Sequence, residues 1–172
     1  MSWSAEFAVA SVAPAAGAVL RLLAASTQAR SIVEIGTGLG VSGLWLLQGM
    51  RPDGVLTSID ADPDHQAMAR QSFAAAGFAP GRVRLITGRA GVVLPRLADA
   101  AYDLVFVDAH PADNPLCTVA ARRLLRDHGL VVLHRPPVDA EQMMSGPEWS
   151  TARLGPDLLA ATKTALPSGH SD

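Results

Sequence analysis

Residues 31–43, SIVEIGTGLGVSG, run from a β-branched segment into three closely spaced glycines and then into the start of an apolar run. The first five residues suit a short strand buried on both faces. Gly36, Gly38 and Gly40 let the backbone turn tightly and come close to a ligand where a Cβ would collide. Residues 41–50, VSGLWLLQGM, then read as a buried helix that opens directly from the glycines. Its unpaired N–H groups face whatever occupies the turn. Strand, glycine turn and helix in that order form the first unit of an α/β fold with a parallel sheet. Glu34 sits inside the apolar strand, where a carboxylate is costly unless hydrogen-bonded, so it needs a partner.

The alternation extends in both directions, and no internal repeat is present. Residues 14–26 carry apolar positions at helical spacing. Residues 55–59 (VLTSI) read as a second strand ending at Asp60. Residues 64–76 read as a helix, with Asp62-Pro63 before it and Gly77 just past its end. Residues 83–87 and 102–107 are further strands, the latter ending at Asp108. A short helix over 92–98 lies between them. A helix over 115–126 and a fifth strand over 129–133 follow. Arg135-Pro136-Pro137 breaks the chain, and residues 140–145 have room for one or two helical turns. Residues 149–154 and 158–163 flank Gly155-Pro156-Asp157, a turn signal, and read as a hairpin closing the sheet edge. The expected organisation is one domain over residues 1–166 and a disordered, flexible tail over 167–172.

Composition agrees with a globular chain. Of 172 residues, 49% are hydrophobic and 17% charged, enough apolar material to build a core. The formal net charge is −2, with 14 basic against 16 acidic side chains, so no basic excess argues for nucleic acid. Glu6 and Pro14 interrupt the apolar N-terminal stretch, which has no basic leader. It reads as neither signal peptide nor membrane anchor. Cys117 is the only cysteine, which excludes an internal disulfide and fits a reducing, cytoplasmic setting.

In open α/β sheets, ligands bind beyond the carboxyl ends of the strands. Those ends supply the glycine turn after Glu34, Asp60, the loop Gly88-Arg89-Ala90, and Asp108. A carboxylate at Asp60 can accept both hydroxyls of a ribose, and a small-residue loop suits a flat adenine edge. Gly38-x-Gly40-x-x-Gly43 also matches a dinucleotide fingerprint. Against that reading, Glu34 would stand close to a pyrophosphate, and the fingerprint glycines begin late in the turn. A sulfonium nucleoside tolerates acidic surroundings better, which favours S-adenosylmethionine (SAM).

The stretches VEIGTGLGVSGLWLL (33–47), LTSIDADPDHQAMARQSFAAAG (56–77), VRLITGRAGVVLPRL (83–97) and YDLVFVDA (102–109) resemble successive motifs of the class I SAM-dependent methyltransferases. They are most similar to the catechol/caffeoyl-CoA O-methyltransferase-like group, and the resemblance spans residues 12–133. It implies a Rossmann-like sheet of seven strands, with the closing hairpin supplying an antiparallel last strand. By the same resemblance, Glu34, Gly36, Thr37 and Gly38 line the cofactor, and Ser42 and Val12 hold its methionine end. Asp60 binds the ribose and Ala61 borders the adenine. Gly88, Arg89 and Ala90 form the adenine-edge loop. Asp108 faces the methionine amino group and serves the group as a metal ligand.

The catalytic mouth departs from that pattern. Where the group completes its Mg²⁺ site with an Asp-Asn pair, this chain has His134-Arg135, and a guanidinium repels a cation. Where the group has a lysine, this chain has Pro111. The segments ahead of Val12 and over residues 136–148, which carry the group's substrate and dimer contacts, are short. The expectation is therefore SAM-dependent O-methyl transfer to a small molecule without a divalent metal, with His134 as candidate general base. His110 and Asp113 belong to the same mouth. A soft-metal site from Cys117, His110 and His134 has no ligand spacing to recommend it, and Cys117 reads as packed. Met143, Met144 and Trp149 fit either an apolar substrate wall or the core. A homodimer is an open possibility; nucleic-acid and membrane partners are not expected. Two other readings compete: a non-catalytic SAM-binding homologue, and an NAD(P)-dependent oxidoreductase.

Overall fold

The computed structural model describes residues 11–165, so the expected tail from Pro167 lies outside the described residues. Helix α1 (Pro14–Ser26) precedes strand β1 (Ser31–Ile35). The alternation continues through α2 (Val41–Gly49), β2 (Val55–Asp60), α3 (Pro63–Ala75), β3 (Val83–Thr87) and α4 (Ala90–Val93). It ends with β4 (Tyr102–Val107), α5 (Asn114–Leu124), β5 (Leu125–His134), α6 (Ala140–Met143), β6 (Trp149–Arg153) and β7 (Leu158–Lys163). The strands form one seven-stranded sheet in the order β3-β2-β1-β4-β5-β7-β6. The first five are parallel, and β7 runs antiparallel to both its neighbours, β5 and β6. This is the expected Rossmann-like architecture. The strand order reverses between β1 and β4, and there a crevice opens at the carboxyl edge.

Side-chain alternation along the strands builds two cores. Val33, Ile35, Val105, Val107, Val131 and Leu133 face one side and pack with α5 residues such as Cys117, Ala121 and Leu124. Ile32, Leu104, Phe106, Leu130 and Val132 face the other, with Leu20 and Ala24 of α1, Leu46 and Leu47 of α2, and Phe73 of α3. Glu34 belongs to this second face by its position in β1. It lies level with Ser58 on β2 and Phe106 on β4.

Three element boundaries shift. The fifth strand starts at Leu125, not residue 129, and α5 stops at Leu124, not residue 126. Leu125 pairs with Tyr102 and is fully buried, and the ladder then skips to Leu104 opposite Leu130. Tertiary pairing of one buried leucine outweighs the helical pattern of the residues around it. The short helix begins at Ala90, not residue 92, and tightens into a 3₁₀ turn over Leu94–Arg96, where Pro95 interrupts α-helical bonding. The segment from residue 140 makes one helical turn, within the one or two expected. The hairpin forms around Gly155, whose φ of +84° suits glycine, and its second strand, β7, lies inside between β5 and β6.

Candidate active site

Backbone bridges knit the carboxyl edge of the sheet together. Gly36 N–H donates to Ile59 O, Asp108 N–H to Ile35 O, and Gly88 N–H to Asp60 O, each at 2.8 Å. At Gly36, with φ +95°, a Cβ would strike the carbonyl oxygen of Asp108. That glycine therefore lets the β1 turn lie directly against the end of β4. Above these ends is a cavity of about 910 Å³. Its wall includes Val12, Gly36, Thr37, Gly38, Ser42, Asp60, Ala61, Gly88, Arg89, Ala90 and Asp108, eleven of the twelve residues expected at the cofactor.

Glu34 is the exception. It does not line the cavity but lies fully buried behind its wall. Ser42 donates to one carboxylate oxygen at 2.5 Å, and Ser58 donates to the other at 2.5 Å. The chain continues through Ser58 and Thr37 at 2.7 Å to the Gln66 amide, which donates to Thr37 Oγ1 at 2.9 Å. Glu34 thus acts on the cavity through Ser42 and Thr37. Burial pushes its carboxyl from 4.5 up to about 7; the serine hydrogen bonds pull it down, and the charges of Asp108 and Asp60 add to the upward push.

Asp60 organises the opposite wall. Its Oδ2 accepts from Gly38 N–H at 3.0 Å and its Oδ1 from Asp62 N–H at 2.9 Å. A carboxylate has about four acceptor positions, so both oxygens keep capacity for hydroxyl donors. His65, on the first turn of α3, also lines the cavity. Its Nδ1 comes within 3.4 Å of Asp60 Oδ2 but outside hydrogen-bond geometry. Sequence reasoning missed His65, Gln66 and Ser58. His65 stood only five residues beyond Asp60, and that proximity was the available signal. Ser58 and Gln66 become neighbours of Glu34 and Thr37 only through strand register and helix docking.

At the other end, Asp108 Oδ1 receives two basic partners. His134 Nδ1 lies 2.9 Å from it, and Arg135 Nη2 donates to it at 2.9 Å. His134 is buried, its ring tilted against that of Phe106 with centroids 6.4 Å apart, and does not line the cavity. The last residue of β5, the candidate general base of the sequence, points its ring into the wall, where it meets the cavity only through Asp108. Arg135 does line the cavity, as do His110 and Asp113. Cys117 is buried in the α5 core, and burial, aided by the Asp113 charge, pushes its thiol up to about 12. Among the described residues, no group of three or more His, Cys, Asp or Glu side chains is placed to hold a metal ion. Met144 is core, and Trp149 packs against the same core, both away from this cavity.

A crevice at the strand-order reversal, with a glycine turn on one strand end and a carboxylate on the next, is the architecture of a nucleotide-cofactor site. Residues 33–135 match the family model described as a methyltransferase domain, and the chain belongs to that family. A protein of Mycobacterium sp. (strain KMS), provisionally named an O-methyltransferase, is 50% identical over 165 residues, covering 94% of this chain and 75% of its own. A similarly named protein of Mycolicibacterium vanbaalenii is 58% identical over 130 residues, covering 76% of this chain, which spans only 58% of that relative. Among solved structures, the O-methyltransferase TomG of Streptomyces achromogenes, involved in tomaymycin synthesis and determined with SAM, superposes with a TM-score of 0.84. It is 30% identical, covering 94% of this chain and 86% of its own. Among the described residues, no helix is long and apolar enough to cross a membrane.

Proposed function

We propose that this chain transfers a methyl group from SAM to an oxygen of a small-molecule acceptor, without a divalent metal. The single observation that carries the reading is the cavity itself, in which the glycine turn lies between Asp60 on one side and Asp108 on the other. The residues fit SAM. The glycine turn admits close approach, Asp60 keeps acceptor capacity for ribose hydroxyls, and Gly88-Arg89-Ala90 borders a slot for the base. Ser42 lies on the same wall, tied to Glu34. When bound, SAM supplies an electrophilic methyl on a sulfonium. The protein's part is to hold donor and acceptor in line and to exclude water.

The residues do not fit Mg²⁺. A hard cation needs several oxygen ligands, and Asp108 Oδ1 already faces a guanidinium and an imidazole. The O-methyltransferase names of the relatives and the SAM bound in TomG support the donor and the acceptor atom.

Calorimetry with SAM and with S-adenosylhomocysteine (SAH), followed by methyl transfer to a panel of hydroxyl-bearing acceptors in EDTA, tests the proposal. Binding of both nucleosides, and turnover that EDTA leaves intact, are expected. Absence of heat for either nucleoside defeats the cofactor assignment, and turnover restored only by Mg²⁺ defeats the metal-free claim.

A further inference from the structure

The Asp108 end of the cavity contains a cation, Arg135. Arg135 follows β5 directly and adopts a left-handed backbone, φ +48°. Its N–H donates to Asp157 O at 2.7 Å, which pins the residue to the turn between β6 and β7. Its side chain is 52% exposed, lines the cavity, and gives one N–H to Asp108 Oδ1 at 2.9 Å. His134 holds the same oxygen from the buried side. A guanidinium carries five N–H donors. Among the described residues, Asp108 is the only partner that the Arg135 side chain engages. The carboxylate engages one N–H and leaves the rest of the guanidinium fork free. The other titratable groups on this part of the wall, His110 and Asp113, are both exposed.

We infer that Arg135 is the acceptor-binding residue, and that its free N–H edge receives an oxyanion. The acceptor class is a compound whose reacting oxygen binds ionised, a phenolate or a carboxylate, held through a guanidinium rather than through a metal. Planar guanidinium and oxyanion match in geometry as well as charge. The identity of the methyl donor rests on the function proposed above; the anion site does not. Ionisation releases the acceptor proton to solvent as the oxyanion settles on Arg135. The oxyanion then forms the bond to the methyl carbon. The carbon–sulfur bond breaks with its electron pair left on sulfur, which becomes the neutral thioether of SAH. No side chain needs to act as general base, which agrees with Pro111 and with a His134 turned into the wall.

The test is a pH titration of 4-nitrophenol absorbance with the protein, with and without SAH, together with competition by benzoate. Wild type is expected to lower the apparent pKa of bound 4-nitrophenol by about one unit, because hydrogen bonds from the free guanidinium edge favour the ionised form. Arg135→Gln is expected to abolish the shift, and Arg135→Lys, which keeps the charge but not the fork, to retain part of it. A phenolate site shows the shift without benzoate competition. A carboxylate site shows benzoate binding that weakens at least tenfold in Arg135→Gln. The inference is overturned if neither probe responds to wild type, or if Arg135→Gln behaves as wild type does. SAH binding with no anion response defeats this inference alone, and an anion response with no SAH heat defeats only the methyl-transfer reading.

Discussion

Glu34 makes the burial of one charge measurable. In the unfolded chain its carboxyl has the ordinary value of 4.5, and in the fold burial raises it to about 7. Between those values the native protein holds a proton that the unfolded chain has released. Stability from this group is therefore complete below about pH 4.5 and falls as pH rises through about 7. A shift of that size corresponds to roughly 3 kcal/mol. Glu34→Gln cannot titrate, so urea unfolding should show the wild-type advantage over the variant shrinking by roughly that amount between pH 4.5 and 8. A gap that stays constant with pH would show that the carboxyl is not perturbed. The residue was legible in the sequence as a buried carboxylate in need of a partner. Its place behind the cavity wall was not, because both partner serines reach it through strand register and helix placement.

At the scale of elements, α1 and α2 cross closely because glycines stand at the contact. A Cβ on Gly49 would strike the carbonyl oxygen of Arg21 and approach Ala24 Cβ at 3.0 Å. In an open helix, Gly→Ala is favourable by up to about 1 kcal/mol. Here the backbone of α1 has to move, and overpacking of this kind costs roughly 1–3 kcal/mol. Gly49→Ala is expected to lower urea stability, and a stabilised variant would mean that the two helices are not in tight contact. Helix α3 shows the opposite case, an end written locally. Asp62 accepts from Asp64 N–H at 2.8 Å and Pro63 opens the helix, so its start was readable within two residues. The end of α5 was not readable, because Leu125 leaves the helix to pair with Tyr102 on a strand distant in sequence.

For the whole molecule, the cavity spans the ends of several elements, so a ligand in it stabilises the native state alone. SAH at a hundred times its Kd should add about 2.7 kcal/mol. In a domain of this size that raises the Tm by roughly 5–10 °C, and the rise should be the same in EDTA. A melting curve unmoved by saturating SAH would remove the cofactor from the account. By itself the sequence determined the alternation of elements, the parallel sheet, and the glycine and acidic strand ends that line one cavity. These follow from hydrophobic periodicity and turn chemistry, which are local properties of the chain. Tertiary structure alone decided that Glu34 lies behind the wall, that His134 turns inward, and that Arg135 enters the cavity beside Asp108. Those outcomes depend on strand register and on a left-handed residue pinned by a distant hairpin turn, and no local pattern encodes either one.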